Sequence, residues 1–184
     1  MSKVIVTEFI TVDGVVEDPG GSENFERGGW AFEFSRGDDG DRFKLDELMS
    51  ADALLLGRKT YEGFAEAWPS RTGDFADKFN NMPKYVVSST LADPEWNNTH
   101  VLAGVDEVKE IDGEILVNGS VQLVNALLDA GLVDELRLMV FPVVLGKGKR
   151  LFADGIAKTA LALTESRPVG DEGVSVAIYR PKAQ

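Results

Sequence analysis

Apolar residues in this chain fall into short, nearly continuous runs, and the segments between them carry apolar positions three or four residues apart. Runs of the first kind read as buried strands and segments of the second kind as helices. Val4 to Ile10 predicts a strand ended by the turn signal Asp13-Gly14. Ala53 to Leu56, Lys84 to Ser88, Ile115 to Val117 and Leu136 to Phe141 predict further strands, with short ones near Val101-Leu102 and near Val108. Helices are expected at Asp41 to Ser50, at Arg58 to Trp68 (stopped by Pro69) and at Val121 to Ala130. In the last, Leu123, Leu127 and Leu128 share a face and Gly131 closes the end. Ala160 to Thr164 and Val174 to Tyr179 alternate apolar with polar or small residues, as a final antiparallel pair does. Continuous apolar strands separated by helices predict an α/β fold with a mostly parallel central sheet and an antiparallel C-terminal end. Glu17 to Gly40 reads as loop, with Asp18-Pro19-Gly20-Gly21 and Gly28-Gly29, yet it carries Phe25, Trp30, Phe32 and Phe34. A polar, Gly-rich loop with such aromatics is expected to cover something apolar.

Two of the predicted strands stop at a glycine and run straight into a helix: Leu54-Leu55-Leu56-Gly57-Arg58-Lys59-Thr60 and Leu116-Val117-Asn118-Gly119-Ser120-Val121. A buried strand that ends in this way leaves free backbone N–H groups at its carboxyl end, a ready site for phosphate. Two such tips in one open sheet point to a nucleotide cofactor lying across them.

The chain has 184 residues, the size of one domain spanning 1–184, and a chain this long buries roughly 70% of its unfolded surface. It has no cysteine, so disulfide and thiolate chemistry are excluded. Met1-Ser2-Lys3-Val4 leads directly into a strand pattern without the layout of a signal peptide, and no apolar run approaches the ~18 residues of a membrane span. A soluble, cytoplasmic protein is the expectation. The formal charge of −12 repels nucleic acid and anionic lipid overall, so neither is an expected partner.

The inventory of reactive groups is narrow. His100 is the single histidine and sits in the loop-like Asn97-Asn98-Thr99-His100, which places it at the surface. There is no Gly-x-Ser-x-Gly elbow, no His- or Cys-based metal centre, and no Asp-x-Asp-x-Asp loop, so no metal is expected. Gly146-Lys147-Gly148-Lys149 lacks the Gly-Lys-Ser/Thr ending of a P-loop, and no Gly-x-Gly-x-x-Gly follows the first strand. An enzyme without an amino-acid nucleophile can still act if a cofactor carries the reaction, and hydride transfer from a reduced nicotinamide is the simplest such case.

Gly57-Arg58-Lys59-Thr60-Tyr61-Glu62 after an apolar strand resembles the Gly-Arg-x-Thr-Tyr/Trp segment of dihydrofolate reductases. Three later stretches are more specific: Leu116-Val117-Asn118-Gly119-Ser120, then Leu127-Leu128 with Gly131-Leu132-Val133-Asp134-Glu135-Leu136, then Pro142-Val143-Val144-Leu145-Gly146-Lys147-Gly148 with Leu151-Phe152. Together with Phe9, Val12, Asp13 and Gly14 they resemble the C-terminal reductase domain of bacterial riboflavin biosynthesis and its small stand-alone relatives. The resemblance covers nearly the whole chain. It implies a dihydrofolate reductase-like three-layer fold with helices on both faces of the sheet, an NADPH-dependent reductase of a small molecule, and a homodimer. It places Gly57, Arg58 and Thr60 at the adenosine-phosphate end of the cofactor, where an Arg beside a helix N-terminus suits a 2′-phosphate. Ser88, Ser89 and Thr90 border the same side. Gly119 and Ser120 match the pyrophosphate loop, with Leu123 closing over it. Asn118 stands where the family commonly has glycine, a residue that also tolerates left-handed backbone. Thr11 to Gly14 and the aromatics around Trp30 fall near the nicotinamide, with Thr11, Gly14 and Trp30 toward the substrate.

Several residues carry two readings. Asp13 is a candidate catalytic acid if burial raises its pKa, or simply the first residue of a turn. Asp41 and Asp46 lie in the helix that, by the resemblance to dihydrofolate reductases, supplies an acidic substrate anchor; otherwise they form a solvated helix face. Gly146 and Gly148, with Lys147, Lys149 and Arg150, form a phosphate site or a tight basic turn. Trp30, Phe32 and Phe34 stack on a flat heteroaromatic substrate or pack the loop onto the core, whereas Trp68 and Trp96 read as core. Three functions follow: an NADPH-dependent reductase of a small heterocycle, the reductase step of riboflavin or pterin biosynthesis, and a non-catalytic nucleotide- or ligand-binding module.

Overall fold

The computed structural model describes residues 1–182. In chain order the elements are β1 (Ser2–Thr11), α1 (Gly37–Ser50), β2 (Ala53–Gly57), α2 (Arg58–Ala67), α3 (Asp74–Asn81), β3 (Lys84–Val87), β4 (Thr99–Leu102), β5 (Gly113–Asn118), α4 (Val121–Asp129), β6 (Glu135–Phe141), β7 (Leu161–Val169) and β8 (Val174–Pro181), with short 3-10 turns at Trp30–Phe32 and Val105–Glu110. The strands form one sheet in the order β4-β3-β2-β5-β1-β6-β8-β7. The pairs from β4 through β6 are all parallel, and β8 and β7 add an antiparallel end. The expected α/β sheet is therefore present.

Alternation along the central strands splits the core into two layers. Val4, Val6 and Ile10 of β1, with Leu55, Ile115, Val117 and Leu136, face Leu123, Val124, Leu127 and Leu128 of α4. Ile5, Leu54, Leu56, Val86 and Leu116 face the other way, onto Leu48 of α1, Tyr61 of α2 and Phe79 of α3. Helices thus cover both faces, which is why β2 and β5 read as unbroken apolar runs. A third cluster at the antiparallel end gathers Trp30, Met139, Phe141, Val169, Val174 and Val176.

Five elements differ from the sequence expectation, among them β7, which runs on to Val169 rather than ending at Thr164. α3 has no predicted counterpart; its eight residues are bounded by Gly73 and by the Met82-Pro83 step that starts β3. α1 starts four residues before Asp41, where Gly37 and Gly40 read as loop. Gly40 is buried because a Cβ there would meet Arg36 Cβ at 2.8 Å and Val169 Cγ2 at 3.3 Å, so the glycine lets the helix lie against the β7–β8 hairpin. The segment at Val108 is a 3-10 turn rather than a strand, with Val108 plugged into the core. His100 lies in β4 rather than a loop, exposed and stacked on Tyr85 with ring centroids 5.4 Å apart.

Candidate functional site

Parallel pairing brings the carboxyl ends of β3, β2, β5, β1 and β6 to one edge. Gly57 pairs with Val87, Leu55 with Val117 and Thr7 with Asn118, so Val87, Gly57, Gly119 and Glu8 stand at one level across the sheet. The Gly57 and Gly119 tips interlock. Gly57 N–H donates to Ser120 Oγ at 2.9 Å, and a Cβ on Gly57 would lie 3.4 Å from Ser120 Cβ and Oγ. Gly119 (φ +60°) and Ser120 (φ +59°) are both left-handed, and a Cβ on Gly119 would come within 3.3 Å of Thr60 Cγ2 and Oγ1. Glycine at both tips is what allows the two backbones to approach.

Each tip opens a helix. Gly57 precedes α2 and Ser120 precedes α4, and neither makes a side-chain cap bond. First-turn N–H groups of two helices therefore point out of neighbouring strand tips without a protein partner, a combination suited to an extended anion. Beside them Arg58 Nη1 donates to Thr90 Oγ1 at 3.0 Å. Ser88 Oγ accepts from the N–H groups of Thr90 and Leu91 at 3.2 and 3.0 Å, which shapes the Ser88-Ser89-Thr90 turn. Arg58 also reaches Glu62 at 3.7 Å in its own helix. Gly57, Arg58, Thr60, Ser88, Ser89, Thr90, Asn118, Gly119 and Ser120 thus converge on one edge. Leu123 does not close over it: it is 6% exposed and lies under Gly57, 3.9 Å from a Cβ placed there. It forms floor, not lid.

The β1–β6 side departs further from expectation. β1 pairs with β6 as far as Thr11 and Phe141, four residues past its last partner on β5, so β5 ends in a notch about 13 Å deep. Asp13 above it lacks the raised pKa expected of a catalytic acid. Thr11 Oγ1 donates to its Oδ1 at 2.6 Å, and the N–H groups of Gly146 and Leu145 donate at 2.8 and 3.2 Å. The Thr11 bond first, then those backbone bonds, hold its pKa at about 2 against the opposing effect of burial. Thr11 itself is buried and accepts Val15 N–H at 3.0 Å, so its hydroxyl is spent inside the turn rather than offered to a substrate. Gly14 (φ +83°) faces open space.

Trp30 is fully buried, with Nε1 donating to the Glu17 carbonyl at 2.9 Å and its ring edge-on to Phe141 at 5.4 Å. It is core, not a stacking surface. The loop before it winds around buried Asp18, whose carboxylate accepts Glu23 and Phe25 N–H groups at 3.1 and 3.2 Å. Phe34 packs on the third core cluster and Phe32 alone points outward, 82% exposed. The basic turn fastens this loop. Lys147 pairs with Glu26 at 2.7 Å, Lys149 N–H donates to Glu17 at 2.8 Å, and Arg150 donates to the Asp13 carbonyl. A Cβ on Gly148 would strike Val15 Cγ1 at 2.7 Å. The Gly146–Arg150 segment is thus a packed turn.

Asp41 is exposed and pairs with Arg36. Asp46 lines a groove of about 720 Å³ between α1 and the antiparallel strands. Beneath that groove lies a network that the sequence reading missed. Glu47 accepts from Thr7 Oγ1 at 2.9 Å, pairs with Lys44, and lies 3.6 Å from Arg137; Arg137 reaches Glu135 at 2.7 Å. Glu8 was missed as well. Its side chain is 5% exposed, and Oε1 is buried without a hydrogen-bond partner. The available signal was Thr7-Glu8, a polar pair inside a strand whose neighbours are apolar on both sides. Among the described residues, no helix is long and apolar enough to cross a membrane.

A parallel sheet with helices on both faces and two interlocked, uncapped helix starts at adjacent strand tips is a doubly covered α/β architecture, in which ligands commonly bind at the carboxyl ends of the strands. The chain belongs to the RibD C-terminal domain family, which matches residues 2–175. It is 28% identical to Bacillus subtilis YyaP over 187 aligned positions, covering 96% of this chain and 94% of that protein. Identity to B. subtilis YwjB is 27% over 176 positions, covering 91% and 92%. Among solved structures, a Shewanella sp. PV-4 protein named for riboflavin biosynthesis shares the fold with a TM-score of 0.77 at 19% identity, covering 98% of this chain and 99% of that one. A Corynebacterium diphtheriae pyrimidine reductase-like protein gives 0.67 at 14% identity, covering 99% and 92%. The dihydrofolate reductase-like, three-layer expectation for the fold stands.

Proposed function

We propose that this protein is an NADPH-dependent reductase acting on a small, heterocyclic substrate. Family membership supports a reductase-type role. The interlocked Gly57 and Gly119–Ser120 tips carry the cofactor reading. There two helix starts, two close backbone approaches and an unburied guanidinium meet. Arg58, with Ser88, Ser89 and Thr90, would hold an adenosine 2′-phosphate; Gly119, Ser120 and the first turn of α4 would hold the diphosphate. Five strand tips at ~4.8 Å spacing cover roughly 19 Å from β3 to β6, room for a dinucleotide laid across them. The reduced nicotinamide supplies hydride when bound. The chain's own part is to present the notch beside β1 and to keep its floor dry with Leu123, Val117 and Ile10. A homodimer is part of the same reading, and light scattering tests it.

A second reading, a nucleotide- or ligand-binding module without turnover, is favoured by one observation: Thr11 and the N–H groups of Leu145 and Gly146 bond to the Asp13 carboxylate and lower its pKa, opposite to the shift a proton donor needs. A phosphorylated substrate, as in riboflavin biosynthesis, is disfavoured because Lys147 and Arg150 are engaged by Glu26 and the Asp13 carbonyl. NADPH oxidation across a panel of pterins, pyrimidines and quinones decides between the readings. Turnover with any of them supports the reductase. Tight NADPH binding with no oxidation across the panel supports the module.

A further inference from the structure

Glu8 sits one place along the row from Gly119, flanked on its other side by Leu138 of β6. Its even-numbered neighbours Val4, Val6 and Ile10 face α4, so by strand alternation the Glu8 carboxyl lies on that face, beneath the Gly119–Ser120 turn. The Gly119 N–H bears on it, while Oε1 is closed off from water and has no partner. The charged side chains that bear on it are Lys44 and Glu47, both on α1. Leu138 of β6 pairs with Glu8, Asn118 of β5 pairs with the preceding Thr7, and α4 offers Leu123 and Val124 to this face. Burial, opposed by Lys44 and the Gly119 N–H, pushes its pKa well above the ordinary carboxyl range.

A diphosphate seated on the Gly119–Ser120 turn would draw on the Gly119 N–H, the backbone donor that stands nearest the Glu8 carboxyl along the row. An ionised Glu8 would compete for that donor and repel the ligand across a dry interior; a neutral one does neither. We propose that Glu8 couples dinucleotide binding to a proton: the site takes the ligand's diphosphate with the Glu8 carboxyl neutral and loses affinity as that carboxyl ionises. This rests on the nucleotide reading above. It adds that binding takes up a proton wherever free Glu8 is partly ionised, because the ligand's charge pulls the carboxyl further toward its neutral form.

The test is calorimetric titration of wild type and Glu8→Gln with NADPH, and separately with inorganic pyrophosphate, in buffers of differing ionisation enthalpy. NADPH is measured above about pH 7, where a phosphate monoester with a second pKa near 6 has finished titrating. In wild type, over the pH range in which carboxyl-carbon NMR shows Glu8 titrating, NADPH affinity falls with pH by up to about tenfold per unit, with matching proton uptake. Glu8→Gln keeps the shape without the charge, so its NADPH affinity is flat across the same range and no proton is taken up. A purely structural Glu8 would shift affinity by a constant factor and leave the slope in place. NADPH binding that is flat in wild type, or a slope that survives in Glu8→Gln, overturns this inference and leaves the nucleotide reading intact. No NADPH binding at any pH overturns both. Should Glu8→Gln fail to fold, carboxyl-carbon NMR of wild type reads the same quantity: the Glu8 pKa rises on adding pyrophosphate, and an unchanged value overturns the proposal.

Discussion

Gly119→Ala and Gly131→Ala form a matched pair that separates backbone strain from loss of the site. Both glycines are left-handed, at φ +60° and +65°, so each alanine costs roughly 1–2 kcal/mol in the folded state. Stiffening of the unfolded chain returns about 0.4–1 kcal/mol. The net is about 1 kcal/mol in each variant, or ~2–4 °C in Tm for a chain of this length. The surroundings differ. At Gly131 nothing lies within 4 Å of the new methyl. At Gly119 it meets Thr60 at 3.3 Å, so the first turn of α2 must give by a few tenths of an ångström, and the α4 N–H row moves away from where a phosphate would sit. NADPH titration by fluorescence or calorimetry should show Gly119→Ala weakened about tenfold or more, equivalent to ~1.4 kcal/mol, with Gly131→Ala unchanged. Equal affinities in the two variants, whether both weakened or both intact, would refute the placement of the diphosphate.

Arg58→Gln should weaken NADPH by roughly 1.5–3 kcal/mol, the range of a charge-assisted hydrogen bond, while leaving NADH affinity unchanged; competition binding with both cofactors checks it. Lys84 is fully buried and donates to the carbonyls of Asn80, Met82 and Asn97, each at 2.9 Å. Lys84→Met strands those carbonyls and should cost about 3–5 kcal/mol in urea unfolding, with no effect on NADPH affinity per folded molecule. Burial holds the Lys84 pKa at about 8, below its unfolded value, so the unfolded chain binds more protons and wild type gains on the variant as pH rises from about 8 to 10.5. The Asp13 pKa of about 2 lies below the ordinary 3.8. Its contribution is therefore present above about pH 4 and lost as pH falls through about 2, and the stability gap between wild type and Asp13→Asn should close over that window.

The apolar runs of β1, β2, β5 and β6 announced the parallel sheet because strands covered on both faces need side chains that are apolar on both sides. The interlocked tips were legible for a related reason: a glycine between a strand and a helix is a local feature, and its use is set by the two elements it joins. What stayed hidden depends on contacts far apart in sequence. Trp30 looks like a surface aromatic in a Gly-rich loop until Asp18 folds that loop onto Phe141. Asp13 looks like a free turn carboxyl until residues 145 and 146 close on it. α3 is too short for periodicity to separate from loop, and its Phe79 finds its place only against Trp68 and Trp96. Glu8 broke the strand pattern, yet nothing local says that Gly119 would stand beside it.

Backbone amide chemical-shift mapping with NADPH bears most directly on the shared cradle. The largest changes should fall on Gly57, Arg58, Ser88, Thr90, Gly119, Ser120 and Val121, with the Gly146–Arg150 turn nearly still. Changes confined to that basic turn, or to the groove beside α1, would contradict it.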